Sequence, residues 1–148
     1  MTTTHSLNEF QAEARTFAAR LKLRPKGATV IMLSGELGAG KTTFVQAVAK
    51  EFGIEETVNS PTFVIEKIYQ VAGESSRGFA RLIHIDAYRL ENAAELEVLG
   101  WKEIIADSKN LILLEWPAKV ADSIPENSIC IAFSGGDDEH VISYDKTN

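Results

Sequence analysis

Apolar positions change their period several times along this chain, and each change marks an element. Leu7, Phe10, Ala14, Phe17 and Leu21 recur at steps of three and four, the spacing of one helix face. Ser6 and Glu9 stand before that stripe at capping-box spacing, and Pro25 and Gly27 close it. Ala28 to Leu33 is then apolar without alternation, as in a parallel strand buried on both faces. Thr43 to Lys50 reads as a second helix, ended by Gly53. Phe63–Val71 and Phe79–Asp86 have strand composition, and the Gly/Ser-containing loop between them predicts antiparallel pairing. Asn92 to Leu99 predicts a capped helix, and Trp101 to Ala106 adds a helical turn or two. Leu111 to Leu114 is too short and too apolar for anything but a central strand. Ser128–Phe133 and His140–Tyr144 flank a Gly/Asp-rich turn and read as a last hairpin. The expected fold is α/β: a mixed sheet with a parallel centre, antiparallel edge strands and flanking helices.

Bulk properties narrow the class. A chain of 148 residues, 45% hydrophobic and with four prolines, suits one compact domain spanning 1–148. A formal charge of −6 argues against long direct contact with a nucleic-acid backbone, although it says nothing of a local basic patch. The single Cys130 lies in an apolar stretch and is expected as a buried small hydrophobe. Three scattered histidines and one cysteine support no transition-metal cluster. No apolar run approaches the roughly 18 residues of a membrane span, and no basic-then-apolar leader is present, so a cytoplasmic protein is expected.

The candidate chemistry begins at Gly35-Glu36-Leu37-Gly38-Ala39-Gly40-Lys41-Thr42-Thr43, which contains G-x-x-x-x-G-K-[ST]. The glycines let the backbone curl until several N–H groups point at one anion. Lys41 supplies a point charge for the β- and γ-phosphates, and the Thr42 hydroxyl can ligate Mg²⁺. Strand before and helix after complete a P-loop NTPase-like context, in which the helix dipole favours phosphate. Lys41 is expected to face solvent and to contribute little to the core.

Two acids end apolar strands: Asp86 after Leu82–Ile85 and Glu115 after Leu111–Leu114. Ligands of open α/β sheets sit at the carboxyl ends of strands, so both acids should share a crevice with Lys41. One acid would hold Mg²⁺ and the other orient an attacking water. Residues alone leave the assignment open; the more uniformly apolar strand before Glu115 favours it for the metal, with Asp86 on the water. Asn59-Ser60-Pro61-Thr62-Phe63 is extended by its proline and displays two hydroxyls. On its own this spelling fits the start of a strand better than a nucleotide switch. His84 reads as a core histidine or a partner of the acids, not a metal ligand. Trp116 suits the core and the crevice equally, and Lys102 and Lys109 read as surface charges.

Gly35–Thr43, Ser60-Pro61-Thr62-Phe63, His84-Ile85-Asp86-Ala87-Tyr88-Arg89 and Leu114-Glu115-Trp116-Pro117 occur in this order, and that set resembles the bacterial TsaE family (formerly YjeE). Glu95 to Gly100 is also similar to the family pattern, and the resemblance runs from the first helix to about Pro117. Ala87 stands where many members carry a bulkier apolar residue. The resemblance implies a slow, Mg²⁺-dependent ATPase required for threonylcarbamoyl modification of adenosine 37 in tRNAs that read codons beginning with A. It implies action with TsaB and TsaD, of which TsaD transfers the threonylcarbamoyl group, while tRNA is held mainly by those partners. By motif, Lys41 would contact phosphates, Thr42 and Glu115 would hold Mg²⁺, Asp86 would assist hydrolysis, and Ser60 and Thr62 would form a switch-like element. A small-molecule kinase and a nucleotide-dependent binding switch are the alternatives. The region after Glu115 contains Lys119 but no arginine, which speaks against a kinase lid.

Overall fold

The computed structural model describes residues 2–36, 38–55, 66–135 and 139–146. Among the described residues, seven strands form one sheet: β1 (Thr2–Thr4), β2 (Thr29–Ser34), β3 (Glu66–Gln70), β4 (Arg81–Asp86), β5 (Asn110–Glu115), β6 (Ile129–Gly135) and β7 (His140–Lys146). Their spatial order is β1-β7-β6-β2-β5-β4-β3. The contiguous set β6-β2-β5-β4 is parallel, and β3, β7 and β1 add antiparallel edges. The expected mixed α/β architecture is therefore present, with two additions. Strand β6 is the first arm of the expected hairpin and also the fourth strand of the parallel centre, and Thr2–Thr4 forms a strand that the pattern did not predict.

The apolar runs are explained by burial on both faces. Ile31, Leu33, Leu82, Leu111 and Leu113 join one core, while Val30, Ile83, Ile85, Ile112 and Leu114 join another. Each central strand alternates between the two, so no position is left for a polar face until the strand ends. The first core lies under α1 (Leu7–Ala19) and α2 (Lys41–Glu51). The second lies under α3 (Ala93–Glu97), α4 (Trp101–Ala106) and the 3₁₀ segment Pro117–Ser123. Burying a Leu, Ile or Phe side chain contributes about 1.5–3 kcal/mol each, so these faces dominate the stability.

Helix α1 begins as its capping box predicts, with the Ser6 hydroxyl accepting from the Glu9 amide at 3.1 Å. The return bond shifts by one residue: the Glu9 carboxylate accepts from the His5 amide at 2.7 Å. Phe10, Ala14 and Ala18 form the buried stripe. Leu7, expected in it, is 62% exposed. Asn92 caps α3, accepting from the Glu95 amide. Cys130, expected as buried, is only half-buried, in register with Met32 of β2. Lys102 and Lys109 are exposed as expected. Among the described residues, no helix is long and apolar enough to cross a membrane.

Candidate functional site

The loop after β2 is shaped by what surrounds it. Gly35 has φ +146°, and a Cβ there would stand 2.5 Å from the Phe133 carbonyl oxygen of β6. Gly40 has φ +111°, and a Cβ there would stand 2.7 Å from Phe10 Cζ. Both positions therefore require glycine for conformation and for space. The Phe10 ring cannot easily yield, because it packs on Phe44, Phe133 and His140 at centroid separations of 6.3, 6.2 and 5.4 Å. Ala39 is buried, Gly38 and Glu36 are exposed, and Leu37 lies outside the described residues. The α2 N-terminus, with Gly40 as its cap, opens beside this turn.

Lys41 corrects an expectation. It is the first residue of α2 and only 5% exposed. Its Nζ donates to the Gly35 carbonyl and, at 3.0 Å, to the Glu36 carbonyl, and it lies 4.3 Å from the centre of the Trp116 ring. A long, flexible side chain starting at the helix N-terminus folds back over its own loop instead of extending into water. Burial lowers its pKa, opposed by the nearby charges of Glu115, Asp86 and Glu36.

The two acids meet because β4 and β5 run parallel with Asp86 and Glu115 in register. The ladder continues past them: the Ala87 amide donates to the Glu115 carbonyl at 3.0 Å, and the Trp116 amide donates to the Leu33 carbonyl at 3.2 Å. Asp86 Oδ1 accepts from the Tyr88 amide at 2.9 Å. Burial raises the Asp86 pKa, and the Glu115 charge adds to it; the Tyr88 hydrogen bond, His84 and Lys41 oppose the shift. Glu115 is 3% exposed, and its Oε2 lies 2.5 Å from Nε2 of the fully buried His84. Next in the chain, Trp116 has φ +60°, a conformation that costs a non-glycine residue about 1 kcal/mol. Its ring packs on Tyr88 at 5.0 Å, closing the wall over the acids.

A crevice of about 370 Å³ collects Gly38, Gly40, Lys41, Thr42, Thr43, Asp86 and Glu115, with Tyr88, Arg89 and Trp116 as further walls. Gly35, Glu36 and Ala39 shape the turn without lining this space. Ser60 and Thr62 lie outside the described residues. Trp116 thus belongs to the crevice. A second cavity of about 280 Å³ shares Gly38, Gly40 and Thr43 and continues between His5, Ser6, Leu7, Phe10 and His140. Sequence reasoning missed it, because His140 reaches the first helix only through the pairing of β7 with β6 and β1. The exposure of Leu7, an apolar residue at the head of an amphipathic helix, is the one feature it leaves on the helical pattern.

Comparison with known proteins gives the chain a family. The family described as "Threonylcarbamoyl adenosine biosynthesis protein TsaE" matches residues 5–142. A Bacillus subtilis (strain 168) protein named tRNA threonylcarbamoyladenosine biosynthesis protein TsaE is 36% identical over 133 residues, covering 89% of this chain and 78% of its own. The Haemophilus influenzae protein of the same name is 33% identical over 118 residues, covering 80% and 70%. The crystal structure of Bacillus subtilis YdiB superposes with a TM-score of 0.73 at 29% identity, covering 99% of this chain and 84% of that one. Because the family match runs through both the loop and the acid pair, the chain belongs to the TsaE family, which takes part in tRNA threonylcarbamoyladenosine biosynthesis.

Proposed function

We propose that this protein binds ATP with Mg²⁺ and hydrolyses it, and that this activity serves threonylcarbamoyl modification of adenosine 37 in tRNA. The observation that carries the reading is the register of Asp86 and Glu115, which sets both carboxylates in one crevice with Lys41 and Thr42. Phosphates would replace the loop carbonyls as partners of Lys41 and accept from the first amides of α2, where the helix dipole favours negative charge. The nucleoside would continue past Thr43 into the cavity between Phe10 and His140.

The donor set fits Mg²⁺. Thr42 and Glu115 offer oxygen, and the described residues contain no group of three or more His, Cys, Asp or Glu side chains that could hold a metal by themselves. That suits a cation that keeps several waters and shares its remaining positions with phosphate. Bound there, Mg²⁺ would neutralise charge on the β- and γ-phosphate oxygens. Thr42 and Glu115 would hold it. Asp86, held by the Tyr88 amide, would orient the water that attacks the γ-phosphorus as the bond to ADP breaks. The Tyr88–Trp116 wall would limit access of other water. The threonylcarbamoyl transfer would occur on TsaD-type and TsaB-type partners, which would hold the tRNA; with a net charge of −6, this chain suits a subunit that does not carry the polyanion itself.

Multiple-turnover tRNA modification, reconstituted with those partners, should require this chain and ATP. Glu115→Ala should weaken the Mg²⁺ dependence of ATP turnover about tenfold more than Asp86→Ala does. The reverse order would exchange the two roles. Rapid phosphorylation of a nucleoside or metabolite, indifferent to the partners, would instead make the protein a kinase.

A further inference from the structure

His84 is fully buried on β4, on the same face as Leu82 and Leu113. An aliphatic side chain would fill that place without polar atoms, as its neighbours do. The imidazole makes one hydrogen bond there, from Nε2 to Glu115 Oε2 at 2.5 Å, while Nδ1 is buried without a partner among the described residues. A carboxylate oxygen can only accept, so Nε2 carries a proton and donates it to Glu115. A buried ring nitrogen without a partner among the described residues is a cost that a residue only filling space would not incur. The compensation lies at Glu115, whose buried carboxylate needs a donor to stay where it is.

We infer that His84 is a positioning residue for Mg²⁺ binding: by occupying Glu115 Oε2 it fixes the carboxylate and presents Oε1 to the crevice. The inference rests on the ATP–Mg²⁺ reading given above. Rigid β4 and β5 set the distance between the two side chains, so the carboxylate is oriented before any ligand arrives. A free Glu side chain would have to lose rotamer freedom on each binding event.

The test compares the full-length chain with His84→Leu, His84→Gln and His84→Asn by calorimetry, measuring ATP affinity with and without Mg²⁺. The ratio of the two affinities reports the metal's grip and not general packing. His84→Leu should reduce that ratio by about 10-fold or more and leave metal-free ATP affinity within about 2-fold. His84→Gln, whose amide nitrogen can stand where Nε2 stood, should keep the ratio within about 3-fold of the original. His84→Asn, which can replace only Nδ1, should behave like leucine; the Gln–Asn pair decides the matter if leucine prevents folding. A normal ratio in His84→Leu or His84→Asn overturns the inference, even with a lowered melting temperature. So does a loss in His84→Gln equal to that in His84→Asn. If the unmodified chain itself binds ATP no better with Mg²⁺, the parent reading falls and takes this inference with it.

Discussion

The glycine turn and the acid pair adjoin on the same crest of the sheet, yet they are held by opposite means. The turn is held by shape: Gly35 presses on the β6 backbone, Gly40 on Phe10, and Phe10 on Phe44, Phe133 and His140. The acids are held by register and hydrogen bonds, with Asp86 tied to the Tyr88 amide and Glu115 to His84. Packing that holds the turn also stabilises the fold. Concentrating Asp86, Glu115 and Lys41 in a half-dry crevice does not, as the shifts of Lys41 and Asp86 toward their neutral forms show. Shape held by packing thus adds to stability, whereas titratable groups crowded into a crevice, Lys41 among them, subtract from it.

Phe10→Ala should separate the two regions most sharply. It empties a site that is 2% exposed, so a loss of about 3–5 kcal/mol and a fall in melting temperature of roughly 10 °C are expected. ATP affinity should fall with it, because the ring that fixes Gly40 is gone. Unchanged affinity in a destabilised Phe10→Ala chain would show that packing does not hold the turn. Lys41→Ala should do the reverse, costing about 100-fold or more in ATP affinity while moving the melting temperature by no more than about 3 °C. A melting loss as large as that of Phe10→Ala would make the lysine part of the scaffold. The smallest effect is expected at Asp86→Asn, which keeps an acceptor for the Tyr88 amide. A carboxyl whose folded pKa is raised adds stability below the ordinary carboxylate range and loses it as pH rises through the folded value. The asparagine chain should therefore gain on the original as pH rises from 4 toward 8, by about 2 °C at the upper end. A gain that shrinks with rising pH would mean that Lys41 and His84 outweigh burial at this carboxyl.

Features written within one or two turns of chain were legible in the sequence. The cap at Ser6, the glycine turn, the helix after it and the two strand-terminal acids all follow from local spacing. The shared crevice of Lys41, Asp86 and Glu115 followed from a general property of parallel sheets. What escaped depends on partners distant in sequence. Three threonines become β1 only because β7 lies beside them, and β6 is parallel only because β2 lies on its other side. His84 could be read as a buried histidine, but its bond to Glu115 crosses 31 positions of chain. Spacing gives a residue's helix and not the path of its side chain, so Lys41 folds over its loop where a solvent-facing lysine is expected.

The contact of Gly35 with Phe133 bears on the order in which the protein is made. The ribosome releases the glycine turn early and β6 late, about two thirds of the chain apart, and Phe10 must wait for His140 in the same way. A nascent chain that stops short of these strands carries the letters of the glycine turn but lacks the wall that bends them. The turn therefore reports on the far end of the chain: its shape is complete only when the last strands have joined the sheet.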